Sequence, residues 1–173
     1  MKKYSLINWY VIQTRSGFEH KVKDRIEKTK IDNLLTLLPK RKLWIRRKGN
    51  FFYEIKPLFP GYFFIQVKMD PLIARSLKKV SGVLRILGNQ GKPKTVPSKE
   101  MKIILSLMLH NQIIPPSKIF FLNERVKVIA GPLFGMEGKI VSVDRRKKRI
   151  KIRLPFFNVY KDVYLGFELV EKA

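Results

Sequence analysis

The Pro115-Pro116 pair restricts the fold of this chain more than any other feature of its sequence. Two consecutive prolines stiffen the backbone and cannot continue a helix. Before the pair, helical and strand patterns alternate; after it, only short strand patterns follow. We therefore expect a domain at residues 1–110, a linker at 111–122 and a second domain at 123–173.

The N-terminal segment mixes strands with amphipathic helices. Asp70 followed by Pro71 is typical of a helix start, because Asp caps free N–H groups and Pro suits the first turn. Ser98 is a similar cap, and Gly49-Asn50 predicts a hairpin turn. The predicted strands are 9–13, 41–48, 51–55, 62–67 and 83–87, and the first predicted helix is 17–30.

The C-terminal segment contains short strand patterns separated by Gly, Pro, Asp and Asn. The predicted strands are 125–130, 137–143, 149–154, 159–164 and 167–170. Five short strands in about fifty residues indicate a small barrel. Gly131, Gly135 and Gly138 surround a tight connection, where a positive φ or a close backbone approach is expected.

The charge of the chain indicates a polyanionic partner. There are 37 Lys and Arg against 13 Asp and Glu, a formal net charge of +24. Such a charge opposes compaction unless an anion neutralises it, and phosphates bound by Lys or Arg release counterions. With 45% hydrophobic residues the chain can still bury a core. Nucleic acid is therefore the expected partner.

A membrane location is not expected. No stretch is long and uncharged enough to span a bilayer, and no secretory signal is present. The chain has no Cys, which excludes disulfides and thiolate metal sites. We expect a cytoplasmic protein.

The first candidate for nucleic-acid binding is a run of five cations. Alternation beyond the run puts Arg149, Lys151 and Arg153 on one strand face, with aliphatic residues on the other. This predicts a continuous cationic ridge, although a solvated hairpin tip is the plainer alternative. The candidate RNA-binding residues are Arg145, Arg146, Lys147, Lys148, Arg149, Lys151 and Arg153, with Lys127 and Lys139 nearby in sequence.

A second candidate lies in the N-terminal segment. Cations interleaved with Trp44 suit single-stranded nucleic acid, through phosphate contacts and base stacking. The alternative is a surface hairpin with Trp44 turned inward. The candidates are Lys40, Arg41, Lys42, Trp44, Arg46, Arg47 and Lys48, together with Lys78 and Lys79.

Two motifs carry a resemblance to a known family. The first half contains Trp9-Tyr10-Val11, Gly17, Glu19, Val22, Phe59-Pro60-Gly61-Tyr62, Gly82-Val83 and Gly88. This order resembles the N-terminal domain of NusG transcription elongation factors. Residues 126–140 read VKVIAGPLFGMEGKI and resemble a KOW motif, which NusG proteins carry in an SH3-like barrel. The resemblance implies an α+β protein: an N-terminal α/β sandwich with an antiparallel sheet, followed by a small C-terminal barrel.

The resemblance also implies partners. A NusG-type N-terminal domain docks on the clamp helices of RNA polymerase, through residues that here correspond to Phe59 and Tyr62, with Trp9 and Tyr10 nearby. Trp9 and Tyr10 are more typical of core, whereas Phe59 and Tyr62 flank a Pro-Gly bend and favour an interface. Some NusG proteins read non-template DNA with an Asn-Thr pair, and Lys79-Val80 stands near that place here.

The charge of the second half is similar to that of specialised NusG paralogues of the LoaP type. These act as processive antiterminators and bind a leader RNA element. The implied function is a monomeric elongation factor that binds RNA polymerase and nascent RNA, in the form of a hairpin. The alternatives are a housekeeping NusG whose KOW domain contacts Rho or ribosomal proteins, and a ribosome-associated KOW protein.

The competing functional class is that of an enzyme. His occurs only at positions 20 and 110, and neither lies in a catalytic motif. Asp and Glu show no metal-ligand spacing, so no cofactor or metal is expected. A basic RNA-processing enzyme would cleave RNA in a metal-dependent reaction, which is the observation that distinguishes it.

Overall fold

The computed structural model of the chain describes residues 6–170. In chain order the first elements are β1 (Asn8–Thr14), α1 (Glu19–Glu27), β2 (Leu35–Leu37), β3 (Lys40–Arg47), β4 (Asn50–Pro57), β5 (Tyr62–Val67), α2 (Pro71–Lys79), β6 (Val83–Ile86), β7 (Gly88–Asn89), β8 (Lys92–Pro93) and α3 (Ser98–Leu107). They are followed by a 3-10 helix (His110–Gln112), β9 (Ile113–Ile114), β10 (Ser117–Leu122), β11 (Arg125–Ala130), a second 3-10 helix (Glu137–Lys139), β12 (Ile140–Asp144), β13 (Arg149–Phe156) and β14 (Val159–Leu169).

The chain forms two compact units. The first unit comprises the chain up to Leu38 together with Phe59–Met101, and the second comprises Pro39–Leu58 together with the chain from Lys102 onwards. The hairpin of β3 and β4 thus belongs to the second unit, because it contacts the C-terminal strands. The division predicted at residues 110 and 123 stays a prediction about independently folding domains.

The first unit is built on an antiparallel sheet with strand order β2-β5-β1-β6. One face of the sheet packs against α1 and α2. Its core includes Ile12 and Phe63 from the sheet, Val22 and Ile26 from α1, and Leu77 from α2. The four-residue spacing of Val22 and Ile26 in α1, and the two-residue alternation in the strands, place these core side chains on this face.

The helix boundaries follow local chemistry. The Asp70 side chain accepts a hydrogen bond from the Ile73 amide at 2.7 Å, and Pro71 occupies the first turn of α2, as predicted. Helix α1 is shorter than the predicted 17–30. The Thr29 hydroxyl donates to the carbonyl of Ile26 at 2.6 Å, and the Thr29 amide bonds the same carbonyl, which closes the helix in a turn.

The bend at Pro60-Gly61 is held to α1 by a buried carboxylate. Glu19 is 2% exposed, and its Oε1 accepts a hydrogen bond from the Gly61 amide at 2.6 Å. The Gly61 carbonyl in turn accepts from the Thr14 amide at 2.9 Å. The bend therefore has its backbone groups satisfied by two different elements of the first unit.

The second unit contains a curled five-stranded sheet with order β11-β10-β14-β13-β12. All pairs are antiparallel except β10 with β14. The predicted strands 159–164 and 167–170 are one continuous strand, β14, and the start of the strand predicted at 137–143 is the second 3-10 helix. The α+β fold class is confirmed by this architecture, and the predicted C-terminal barrel takes the form of a curled sheet.

The connection between β11 and the second 3-10 helix is tight where Gly131 lies. Gly131 has φ of +98°, and a Cβ there would lie 2.8 Å from Cα of Ser117. Gly135 also has a positive φ, whereas Gly138 has neither a positive φ nor a neighbour within 4 Å of a Cβ position. The prediction is thus correct for Gly131 and Gly135 and wrong for Gly138.

A three-stranded sheet with order β4-β3-β9 completes the second unit. Strand β9 runs parallel to the start of β3. The β3–β4 turn is centred on Lys48 and Gly49, with φ of +47° and +84°, because Arg47 pairs with Asn50. The turn is therefore one residue earlier than the predicted Gly49-Asn50. Strands β9 and β10 both lie in the segment 111–122, which we expected to be a linker.

No helix among residues 6–170 is both long and apolar enough to cross a membrane.

The Glu19 contact gives a testable expectation. Glu19→Ala removes the acceptor of a buried amide, so the free energy of unfolding should fall by about 1 to 3 kcal/mol. Urea unfolding followed by circular dichroism measures the change. Glu19→Gln keeps an acceptor oxygen and should lose less, and Asp24→Ala, on the exposed side of the same helix, should lose little. Equal losses in Glu19→Ala and Asp24→Ala would contradict the role of this contact.

Candidate nucleic-acid interface

Strand β3 lies directly on β14 at Gly166. A Cβ on Gly166 would be 2.7 Å from the carbonyl oxygen of Lys42, so only glycine permits this backbone approach. Three hydrogen bonds join the β3–β4 hairpin to β14. Arg41 donates to the carbonyl of Tyr164 at 2.8 Å, Trp44 Nε1 to the carbonyl of Phe167 at 3.2 Å, and the Tyr53 hydroxyl to Glu168 Oε1 at 2.6 Å.

The hairpin carries a stack of aromatic rings and cations. Trp44 and Tyr53 pair across the strands with ring centroids 3.7 Å apart, and Lys42 Nζ lies 3.9 Å from the Tyr53 ring centroid. Phe51 meets Trp44 edge to face at 6.1 Å. Lys148 Nζ lies 5.0 Å from the Trp44 ring and 4.7 Å from the Phe51 ring. The contact of Lys148 with both rings connects the hairpin to the β12–β13 turn.

Burial and the neighbouring carboxylate act together on the Tyr53 phenol. Loss of water contact raises the pKa of Tyr53, and the hydrogen bond to Glu168 and the charge of Glu168 raise it further. The phenol is therefore a stable hydrogen-bond donor at neutral pH, which suits a contact that fixes the hairpin.

The β12–β13 turn is organised by Asp144. Its Oδ1 accepts a hydrogen bond from the Lys147 amide at 2.9 Å, and Lys148 has φ of +52°. The Arg145 guanidinium lies 3.7 Å from the centroid of the Phe121 ring. Arg146 and Lys147 are exposed. The one carboxylate of the turn thus bonds the backbone rather than a neighbouring cation.

A cleft of about 670 Å³ separates the hairpin tip from this turn. Five of its lining residues are cations, two are aromatic and none is acidic. The lining residues are Trp44, Ile45, Arg46, Lys48, Gly49, Phe51, Arg146, Lys147 and Arg149. Two basic segments that are about a hundred residues apart in sequence therefore meet at one cleft.

The predicted cationic ridge on β13 is not continuous. Arg149 is half-buried and donates to the carbonyl of Trp44 at 3.3 Å. Arg153 forms a bidentate salt bridge with Asp162, at 2.8 and 3.2 Å. Lys151 lies 5.2 Å from the Tyr164 ring. For Arg149 the reason is tertiary packing, because β3 covers its strand face at Gly166, whereas Arg153 is neutralised by its cross-strand neighbour on β14.

Arg41 and Arg149 form an unusual pair. The Nε atoms of both are buried without a hydrogen-bond partner, and no salt bridge joins either residue to a carboxylate within residues 6–170. Burial, and then the positive charge of Arg149, lower the pKa of the Arg41 guanidinium. Two like charges held this way favour a nearby anion.

The remaining candidates for nucleic-acid binding lie elsewhere. Lys127 is exposed on β11 and Lys139 ends the second 3-10 helix; neither lines the cleft. Lys78 and Lys79 belong to the first unit, where they line a cavity of about 720 Å³ together with Tyr10 and Arg75. Trp44 belongs to the second unit, so a shared surface with Lys78 and Lys79 stays a prediction.

The four residues expected at a polymerase interface have different environments. Trp9 and Tyr62 are half-buried, and strand register places them on the sheet face opposite α1 and α2. Tyr10 is 7% exposed and lies in the core of the helix-covered face. Phe59 is 2% exposed and packs edge to face on Phe64. Phe59 was expected at an interface rather than in the core, and the structure instead buries its ring against Phe64.

Several residues of the cleft region were missed by the sequence analysis. Cross-strand pairing opposite the basic residues of β3 would have identified Phe51 and Tyr53, since they pair with Arg46 and Trp44. No local signal identifies Gly166, because its role depends on the approach of a strand more than a hundred residues away.

The fold and this surface define a two-unit protein with an α/β unit and a KOW-type curled sheet. Residues 7–105 match the family described as "Transcription termination factor nusG", and residues 123–153 match the KOW motif. The chain belongs to the NusG family of transcription termination/antitermination factors.

Two relatives and one solved structure are similar to this chain over nearly its whole length. The NusG protein of Buchnera aphidicola is 30% identical over 172 residues, with 95% of each chain covered. That of Escherichia coli K12 is 30% identical over 175 residues, covering 95% of this chain and 96% of the relative. The structure titled "Domain interaction in Thermotoga maritima NusG" has a TM-score of 0.59 and 28% identity, covering 93% of this chain and 94% of that one.

The close approach at Gly166 yields a second expectation. Gly166→Ala places a methyl group against the Lys42 carbonyl, so the hairpin should pack less closely on β14 and the free energy of unfolding should fall by about 1 to 3 kcal/mol. Hydrogen exchange should increase in residues 40–57. Gly138→Ala is the matched control, since its Cβ meets nothing within 4 Å. Unchanged exchange in the hairpin of the Gly166 variant would contradict the assignment.

Proposed function

We propose that this protein is a transcription elongation factor of the specialised, LoaP-like kind, which binds RNA polymerase and nascent RNA and promotes processive antitermination. In this proposal the second unit binds the RNA and the first unit binds the polymerase. Neither role requires catalysis, and we propose that the protein is not an enzyme. Its relatives are named as termination/antitermination proteins, which covers both this role and a housekeeping one.

The observation that supports RNA binding is the unneutralised charge at the β12–β13 turn. The Asp144 carboxylate accepts a hydrogen bond from the backbone of the turn, so it does not neutralise Arg146 or Lys147. Exposed cations without acidic partners are what phosphate binding requires. A structured RNA hairpin suits such a surface, because duplex RNA presents phosphates and shape more than base edges.

The support for polymerase binding is the partial exposure of two aromatic residues on the sheet face opposite α1 and α2, where Val11 and Phe64 between them are buried. Trp9 and Tyr62 lie on it half-exposed. The Tyr62 phenol oxygen accepts a hydrogen bond from Gln13 Nε2 at 3.3 Å, and Gln13 Oε1 accepts from Arg85. An aromatic ring with a polar rim is typical of interface hot spots. The clamp helices of RNA polymerase are the partner that the family resemblance implies.

The second candidate function is that of a housekeeping NusG, in which the KOW sheet contacts proteins such as Rho or a ribosomal protein. Exposed apolar side chains of the KOW segment favour it: Ile129 and Val141 on the sheet, and Phe134 in the turn after β11. Affinity separates the two functions. Tight binding of one leader hairpin over scrambled competitors supports the specialised role, whereas binding only to a protein partner supports the housekeeping role.

RNA binding should depend on the turn cations. Replacing Arg145, Arg146, Lys147 and Lys148 with Ala should weaken RNA binding and flatten the plot of log affinity against log salt. The slope should change by roughly 0.7 to 0.9 for each phosphate that the variant no longer neutralises. Fluorescence anisotropy at several salt concentrations gives the slope. An unchanged slope would remove the turn from the proposed interface.

Polymerase binding should depend on Tyr62. Tyr62→Ala should reduce co-purification with RNA polymerase severalfold, because a half-buried aromatic anchor is removed, while RNA affinity stays within twofold of wild type. Tyr62→Phe keeps the ring and should retain most polymerase binding. A variant that unfolds, or that binds polymerase as well as wild type does, would rule out an interface role for Tyr62.

A further inference from the structure

Two turns from distant parts of the chain form the walls of the cleft in the second unit. The β3–β4 turn contributes Arg46 and Lys48, and the β12–β13 turn contributes Arg146 and Lys147. Lys148 contacts Trp44 of β3 and Phe51 of β4, so the two walls are joined by these contacts. A ligand in the cleft would therefore touch both turns at once.

The electrostatics of the cleft indicate an anion. Five cations line it without an acidic lining residue, and one of them, Arg149, has a buried Nε with no partner in the described residues. Arg41 lies near Arg149, and its Nε is likewise buried without a hydrogen-bond partner among the described residues. Phosphates bound along the cleft would offset this repulsion.

The aromatic residues narrow the class of ligand. Trp44 is covered by Tyr53 on one side and approached by Lys148, whereas Phe51 retains 39% of its surface exposed. The Arg46 guanidinium lies 5.8 Å from the Phe51 ring centroid. The guanidinium lies over the ring face, so an unpaired base would stack on the outer guanidinium plane or on the part of Phe51 that stays exposed.

The size of the cleft agrees with a single nucleotide as the ligand. A volume of about 670 Å³ is in the range of small-ligand sites, so a single nucleotide fits and a base-paired helix does not. A duplex would instead rest on the rim, where Arg146 and Lys147 are exposed. The cleft therefore suits a bulged or loop nucleotide that projects from a helix.

We propose that the cleft between the β3–β4 and β12–β13 turns is one composite site for an unpaired RNA nucleotide, with the base against Phe51 and Arg46 and the adjacent phosphates on cations of both turns. This inference rests on the proposed RNA binding and adds to it the ligand class and the role of the hairpin. It makes the β3–β4 hairpin part of the RNA interface.

The test uses the full chain and two RNA hairpins that differ only in one bulged uridine. Wild type should bind the bulged RNA about tenfold more tightly. Phe51→Ala, the milder Phe51→Leu and the pair Arg46→Gln with Lys48→Gln should each abolish most of that preference. The matched control is Lys102→Gln with Lys118→Gln, which removes the same charge from exposed positions of the second unit that do not line the cleft.

A double-mutant cycle tests whether the two turns act as one site. Combining the hairpin pair with Arg146→Gln and Lys147→Gln should weaken binding by less than the product of the two separate effects, because removing either wall already releases the nucleotide. A 4-thiouridine at the bulge should crosslink to residues 42–53. Circular dichroism confirms that each variant is folded.

The outcomes separate this inference from the proposed function. If wild type binds neither RNA, both fail. A different result would be that RNA binds and that the β12–β13 turn variants weaken its binding, while neither the bulge nor the hairpin variants change the affinity. In that case the composite site is wrong and RNA binding stands. A drop in affinity in the Lys102 and Lys118 control equal to that of the hairpin pair would also overturn the site, since only net charge would then matter.

Discussion

The contact between the Lys42 carbonyl and Gly166 is the constraint on which the second unit depends. Because Gly166 has no side chain, β3 lies on β14 with a backbone separation that any Cβ would prevent. The Arg41, Trp44 and Tyr53 hydrogen bonds to β14 form only at that separation. The position of the hairpin on β14 therefore depends on one residue that has no side chain of its own.

In the second unit, cationic side chains contact aromatic rings and backbone carbonyls more often than they pair with carboxylates. Lys42, Lys148 and Arg145 lie against aromatic rings, and Arg41 and Arg149 donate to main-chain oxygens. These contacts hold the cations in place without cancelling their charge. The surface consequently stays positive and well ordered, which is the condition for binding phosphates with little loss of side-chain freedom.

Sequence reasoning succeeded where the determining chemistry is local. The Asp70 cap and the strand at 62–67 depend on neighbours within a few residues, and so does the third helix, although it includes Ser98, which we expected as its cap. Sequence reasoning failed where the environment of a residue depends on a segment that is distant in sequence. Phe59 follows a Leu and precedes a Pro-Gly bend, a pattern that fits a surface loop, yet its ring is buried on Phe64. The predicted linker contains β10 because the curled sheet supplies pairing partners for it on both sides.

The sequence by itself determined the family, the α+β class and the existence of two basic segments, because motif order, periodicity and charge are properties of the chain alone. Only the tertiary structure decided that these segments share one cleft, that Arg149 bonds the Trp44 carbonyl, and that Gly166 is the point of contact. Hydrogen bonds and close packing between residues a hundred positions apart leave no periodic trace in a sequence, so this part could not be predicted from it.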